Sequence, residues 1–229
     1  MKYLFLIIMF ALTPSTSVSQ LLEVGGAIGG SNFIGDVGAT TFISPNNIAI
    51  SGLVKWNRSP RHAYRGSITL TKLEGIDSDS SDPRRVARGY QFTKQTLEIS
   101  GGMEFSFFDF NTFNGPGQST PYLSTGLVAL YHSNFYFNNG QITPEDTKSW
   151  AVGIPIIVGF KTTLTQRFIL GAEIGVRYSF SDEIDGSLPD SELLHDDYSF
   201  GNLNNNDWYT FTQLTLTYTF GRKPCFCDY

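Results

Sequence analysis

Two histidines, His132 and His195, and two cysteines, Cys225 and Cys227, are the residues of this sequence whose types could do chemistry. An imidazole exchanges a proton near neutral pH, so His132 and His195 are the candidates for the base of a lipid-modifying enzyme. Neither has a Ser or Asp partner at a spacing that reads as a catalytic set, and exposed loop histidines are the stronger reading. His62 stands beside a turn. Cys225 and Cys227 make a Cys-x-Cys pair within the last five residues. That is too few ligands for a structural zinc site, which takes about four. In an oxidising compartment the pair could form a disulfide, and a link to a partner and an incidental tail both remain open. No catalytic residue, cofactor, metal or small-molecule substrate is expected.

The other notable chemistry is electrostatic. Glu23, Lys55, Arg65, Glu98, Glu104, Lys161, Glu173 and Arg177 all fall on the polar side of segments that alternate with period two. Alternation over roughly ten residues is the pattern of strands in a transmembrane β-barrel. It is clearest near the end of the chain. Trp208, Thr210, Thr212, Leu214, Leu216, Tyr218 and Phe220 form one face, and Gln213, Thr215, Thr217 and Thr219 lie between them. Phe168, Leu170, Ala172, Ile174, Val176, Tyr178 and Phe180 oppose Arg167, Gly171, Glu173, Gly175, Arg177 and Ser179. Trp150, Val152, Ile154, Ile156, Val158 and Phe160 oppose Ala151, Gly153, Gly159 and Lys161.

Four earlier segments follow the same rule. Leu97, Ile99, Met103 and Phe105 oppose Thr96, Glu98 and Glu104. Tyr64, Ile68 and Leu70 oppose Arg65, Ser67, Thr69 and Thr71. Ile48, Ile50, Val54 and Trp56 oppose Asn47, Ser51, Lys55 and Asn57. Leu22, Val24 and Ile28 oppose Glu23, Gly25 and Ala27. Pro121 to Tyr131 is apolar on both sides and makes an eighth strand whose facing is unassigned. The expected fold class is all-β, an eight-stranded antiparallel transmembrane β-barrel. Eight strands enclose only enough room for side chains, and an inward charge must be paired. The mixed signs therefore predict a salt-bridged plug rather than a pore.

Composition and the N-terminus place such a barrel. Charged residues make up 16% of the chain, against roughly 25% in soluble domains. The net charge of -5, with no Lys/Arg cluster that looks like a phosphate-binding face, argues against nucleic acid. Lys2, the apolar run Tyr3 to Leu12 and the small polar stretch Thr13 to Ser19 read as a signal peptide cleaved after Ser19. The expected division is 1–19 signal peptide, 20–221 barrel and 222–229 a periplasmic tail. Connections should alternate between short inner turns and long outer loops. Short ones fall near Ser59–Pro60 and Thr163 to Gln166, with a Gly/Pro-rich turn at Thr112 to Ser119. Long ones are Ser31 to Asn46, Gly75 to Gly89, His132 to Ser149 and Ser181 to Asp207. The mixed run Asp79, Asp82, Arg84, Arg85 and Arg88 is either a solvated loop or a contact for lipopolysaccharide phosphates.

Several short motifs occur in an order that resembles one family. They are Gly29 to Asp36; Ser80 to Phe92 with Asp82, Arg84, Arg88 and Phe92; Glu98 and Glu104; Pro121-Tyr122 with Gly126; Glu173-x-Gly175-x-Arg177; and Phe180-Ser181-Asp182-x-Ile184-Asp185. Together they resemble the PorG-like outer-membrane proteins of the type IX secretion system of Bacteroidetes. One departure is Gly186-Ser187-Leu188-Pro189, where the family usually has a Val-Ser pair and an aromatic. The resemblance implies a non-enzymatic component in contact with outer-membrane lipid and with a periplasmic ring lipoprotein of the secretion machine. On that reading Arg222, Lys223, Cys225 and Cys227 of the tail are the expected partner contact. The runner-up readings are a generic small barrel, acting as adhesin or envelope stabiliser, and a lipid-modifying enzyme.

Overall fold

The computed structural model describes residues 21–202 and 205–221. Eight strands run in chain order: β1 (Leu21–Ile34), β2 (Asn47–Asn57), β3 (His62–Ile76), β4 (Gln91–Ser106), β5 (Ser119–Asn138), β6 (Gln141–Thr163), β7 (Phe168–Ser179) and β8 (Trp208–Phe220). Each pairs antiparallel with its neighbours, and β8 pairs back onto β1 to close the barrel. Closure removes the edges that would otherwise expose unpaired backbone.

The alternation predicted from sequence is the alternation of burial. In β7, Phe168, Leu170, Ala172 and Ile174 are exposed, and Ile169, Gly171, Glu173 and Gly175 are buried. In β5, which the sequence left unassigned, Tyr122, Ser124, Val128, Leu130 and His132 turn inward. Exposed Ile50, Val54, Ile68, Leu70, Ile99, Leu127, Ile156, Val158, Leu214 and Leu216 form a belt around the outside. Aromatic contacts border the belt at both ends. Trp56–Tyr64, Phe168–Tyr218 and Tyr218–Phe220 lie at one end, with ring centroids 5.4, 5.2 and 4.7 Å apart. Tyr131–Trp150 and Tyr178–Trp208 lie at the other, at 5.0 and 4.7 Å. Such girdles sit where a bilayer meets water.

The two ends are built differently. At the turn end, 58–61 and 164–167 join β2 to β3 and β6 to β7, and a longer segment, 107–118, joins β4 to β5. At the loop end are 35–46, 77–90 and 180–207; these carry short helices at Pro83–Arg88 and His195–Tyr198. The expected loop His132 to Ser149 is absent. Both strands continue through it to a two-residue turn, Asn139-Gly140, with φ of 48° and 80°. Asn-Gly is the sequence of a two-residue hairpin whose positive φ angles match the strand twist, and Phe135 and Phe137 keep period two up to it.

Candidate functional site

The lumen is filled by charge at its turn end, and one further ion pair, Arg177–Glu98, stands toward the loop end. Glu104 on β4 receives Lys55 Nζ from β2 and Lys161 Nζ from β6, both at 2.7 Å, with Arg65 at 3.7 Å. Across the barrel, Arg65 of β3 donates twice to Glu173 of β7, at 2.7 and 2.6 Å, and the Tyr122 hydroxyl donates to the same carboxylate. Arg177 donates to Glu98 at 3.2 Å and lies 4.1 Å from the Phe211 ring. Glu23 accepts from Asn57 and Thr217. Each of these four carboxylates is buried. Space for the bulky members comes from glycine: a Cβ at Gly159 would collide with the Tyr122 ring, and one at Gly175 with the Arg177 guanidinium. The structure thus brings Arg65, Glu98, Glu104, Glu173 and Arg177 into ion pairs and holds Glu23 by neutral donors. Arg65–Glu173 joins β3 to β7, four strands apart, and so ties opposite walls together.

Apart from the Arg177–Glu98 pair and Lys94, the loop-end half is apolar. Phe33, Leu73, Phe92, Leu130, Phe135 and Phe211 form a buried cluster with Val37 and Ile184 from the loops. Tyr90 stacks on Phe137 at 4.3 Å, and Phe200 meets both rings edge-on. Above this plug the loops clasp one another. Asp185 accepts the backbone N–H groups of Asp36 and Val37 at 2.7 and 3.0 Å. Asp77 accepts from Gly38 N–H at 2.9 Å and from Arg88 at 2.8 and 2.9 Å. Arg88 also reaches the Asp36 carbonyl, and Arg85 reaches those of Gly35 and Gly38. Asp207 accepts from Ile184 N–H, and Asp36 from Asn202 N–H.

The clasp draws together three motifs separated in sequence: Gly29 to Asp36, the Arg-rich run, and Ser181 to Asp185. Asp77 went unread in the sequence because a lone Asp before a loop looks like ordinary turn chemistry. Its signal was the spacing to Arg88, which only the closed loop makes meaningful. Arg85 and Arg88 are engaged with loop carbonyls and Asp77, so the Arg-rich run does not present a cationic face. Arg84 is solvent-exposed beside Asp82.

Burial of acids in the clasp shifts their protonation. Burial, and then the neighbouring Asp185, Asp36 and Glu183 carboxylates, push Asp182 up to about 7. Asp207 is raised well above the carboxylate range by burial and then by Asp185 and Asp182. Asp36 is raised chiefly by burial.

One of the three histidines is placed differently from expectation. His132 is a buried residue of β5, not an exposed loop residue, and its Nδ1 lies 3.3 Å from Lys94 Nζ. His195 donates through Nε2 to the Pro189 carbonyl at 2.8 Å. His62 lies 3.3 Å from the Ser59 hydroxyl at the turn end. Among the described residues no histidine is hydrogen-bonded to a carboxylate, and no group of three or more His, Cys, Asp or Glu could hold a metal ion. The expected signal peptide and the contact residues Arg222, Lys223, Cys225 and Cys227 lie outside the described residues.

A closed eight-stranded barrel with an apolar belt, two aromatic girdles and a filled lumen defines a small membrane β-barrel of the outer-membrane type. The chain belongs to the family described as Domain of unknown function (DUF6089), whose model matches residues 2–229. No curated protein matches it. Similar solved structures include a major outer membrane protein of Thermus thermophilus, at 12% identity and TM-score 0.48, covering 88% of this chain and 99% of that one. Ail, the attachment invasion locus protein of Yersinia pestis, is 12% identical with TM-score 0.46, over 90% of this chain and 100% of Ail. Neisserial surface protein A is 11% identical with TM-score 0.46, over 90% and 100%.

Proposed function

We propose that this protein is a non-enzymatic outer-membrane component of a type IX protein secretion apparatus, and that it contacts the periplasmic ring of that machine through its turn end. The observation that carries the non-enzymatic part is the filled lumen. Charges cross the turn-end half in pairs, and an aromatic plug under clasped loops fills the rest. With its lumen occupied by side chains, the barrel acts through its ends. The belt and girdles support a bilayer setting, with the turn end and the tail at 222–229 facing the periplasm. The secretion role itself rests on the ordered motifs that resemble PorG-like proteins, and three of those motifs form the clasp.

The test is cross-linking in intact cells followed by purification of the barrel. Recovery of a ring lipoprotein, lost on deletion of 222–229, is the expected result. Normal cargo secretion in a strain lacking the gene sinks the secretion role. A leaky envelope in that same strain, with secretion intact, favours the envelope-stabilising reading, which the tied walls also support.

A further inference from the structure

Part of the first loop lies against the outside of the barrel wall. The outward-facing set of β1 runs through Val24, Ile28, Gly30 and Asn32, yet Asn32 is buried. A strap formed by Thr41 to Asn46 covers it. The Asn32 side-chain amide donates to the carbonyls of Thr41 and Phe42 at 3.1 and 3.2 Å, and its Oδ1 accepts Ser44 N–H at 3.3 Å. Asn46 N–H donates to the Ser31 carbonyl at 3.0 Å. Pro45 lies on Gly30, where a Cβ would collide with the proline ring. Phe42 meets the Trp208 ring edge-on at 5.8 Å, so the strap crosses the joint where β8 closes on β1.

Register fixes the depth of the strap. Gly30 pairs with Ile48 of β2, an exposed apolar residue that extends the belt toward the loop end. Asn32 pairs with Thr210, one outward step along β8 from Trp208 of the loop-end girdle. The strap therefore lies between belt and girdle. Its composition suits that depth. No charged residue occurs from Val37 to Val54. The other two loops differ: 77–90 carries Asp77, Asp79, Asp82, Arg84, Arg85 and Arg88, and 180–207 is rich in acids. Charge is costly beside lipid, and aromatic and aliphatic groups are favoured at its interface. Phe42 and Ile43, at the turn of the strap, are 49% and 52% exposed. Irregular backbone is tolerated beside lipid only where its polar groups are satisfied. Asn32 and Ser31 satisfy two carbonyls and two N–H groups of the strap.

We propose that the strap is a membrane-inserted loop. Phe42 and Ile43 enter the interfacial region of the leaflet at the loop end and anchor that end of the barrel in lipid. Lipid is the occupant that fits because the pair is flanked by belt on one side, at Ile48, and by girdle on the other, at Trp208. The apolar surface of the wall thus continues onto the strap, as apolar side chains of interfacial segments lie at the boundary of headgroups and acyl chains. The inference rests on the bilayer setting of the belt. It is independent of the secretion role.

The test is electron paramagnetic resonance of nitroxide-labelled barrel refolded into phosphatidylcholine vesicles, with Cys225→Ser and Cys227→Ser removing competing thiols. Oxygen concentrates among acyl chains and a nickel chelate stays in water, so the ratio of their collision rates with the label reports its surroundings. Three labelled sites are compared: Ile43→Cys on the strap, Ile68→Cys in the belt, and Val86→Cys on the charged loop, where Ile68 and Val86 are 55% and 48% exposed. The ratio at 43 should exceed that at 86 several-fold and approach that at 68. Heat-shifted gel mobility checks that each variant is folded. If Ile43→Cys does not fold, Phe42→Cys decides by the same outcomes. A ratio at 43 equal to that at 86, with 68 in lipid, would overturn the strap and leave the bilayer setting intact. Water at all three sites would overturn both. Shielding of site 43 from both reagents would replace lipid by a protein contact and overturn the proposal.

Discussion

The two halves of the lumen solve the same packing problem by opposite chemistry. In the turn-end half the contacts are between strands: Lys55, Arg65, Glu104, Lys161 and Glu173 project from the wall and meet inside it, and the Arg177–Glu98 pair is the one such contact set among the apolar groups of the other half. In the loop-end half the wall supplies aromatic and aliphatic groups, and segments 35–46, 77–90 and 180–207 supply the lid. A buried ion pair must be complete to be tolerated, so the charged half is rigid by necessity. The clasp over the apolar half is held by hydrogen bonds from loop backbone to Asp77, Asp185 and Asp207. The comparison assigns global stability to one half and local opening to the other.

The largest effect that could break this division comes from Glu104. Glu104→Ala leaves Lys55 and Lys161 buried without their shared carboxylate, and the barrel loses about 3–5 kcal/mol against unfolding by urea in detergent. Replacing all three residues by apolar ones of similar volume recovers most of that loss. A Glu104→Ala variant as stable as the parent would show that water or another acid solvates the lysines.

Asp185→Ala tests the other half. Each hydrogen bond to a charged acceptor is worth about 1.5–3 kcal/mol, and Asp185 accepts two from the 36–37 backbone. The expected outcome is faster amide exchange and protease cleavage in 181–202, with the urea midpoint of the barrel nearly unchanged. A fall in the global midpoint as large as that of Glu104→Ala would erase the distinction between the halves.

The clasp should also respond to pH in a direction the ion pairs do not share. The Asp182 carboxyl is raised to about 7 when the clasp is closed and returns toward its ordinary value near 4 when it opens. The closed form thus binds a proton that the open form releases. Closure is favoured below about pH 4 to 5 and loses that stabilisation as pH rises through about 7. Asp207 and Asp36 shift the same way. Amide exchange in 181–202, corrected for intrinsic rates, should slow on going from pH 8 to pH 5, and Asp182→Asn should flatten the dependence.

The smallest effect belongs to the hairpin tip, which lies beyond both halves. Gly140→Ala strains a position at φ 80° and costs about 1 kcal/mol. The strain should fray the β5–β6 tip alone, measured as faster exchange at 135–142.

The charged half was legible in the sequence because period two is a property of the strand itself. Once Phe168, Leu170 and Ile174 face lipid, Glu173 and Arg177 have nowhere to go but inward. The pairings were not legible. That Arg65 meets Glu173 and not the closer-in-sequence Glu98 depends on which strands stand opposite across the lumen. The apolar half was hard to read for a different reason. Val128 and Leu130 are apolar and inward on β5, so they blur the alternation where the filling is hydrophobic. His132 was misread as a loop residue because the hairpin runs past it, although Asn139-Gly140 marked the true turn.

By itself, then, the sequence determined the strand count, the facing of seven strands and the presence of mixed charges inside, because local periodicity fixes which way each side chain points. Only the tertiary structure decided which charges pair, how Asp36, Asp77, Arg88 and Asp185 close the mouth, and where the ladder between β4 and β5 stops. Those features join residues far apart in the chain. Their geometry is set by the closure of the sheet and by the register shift in the β5–β6 pairing, which no local spacing encodes.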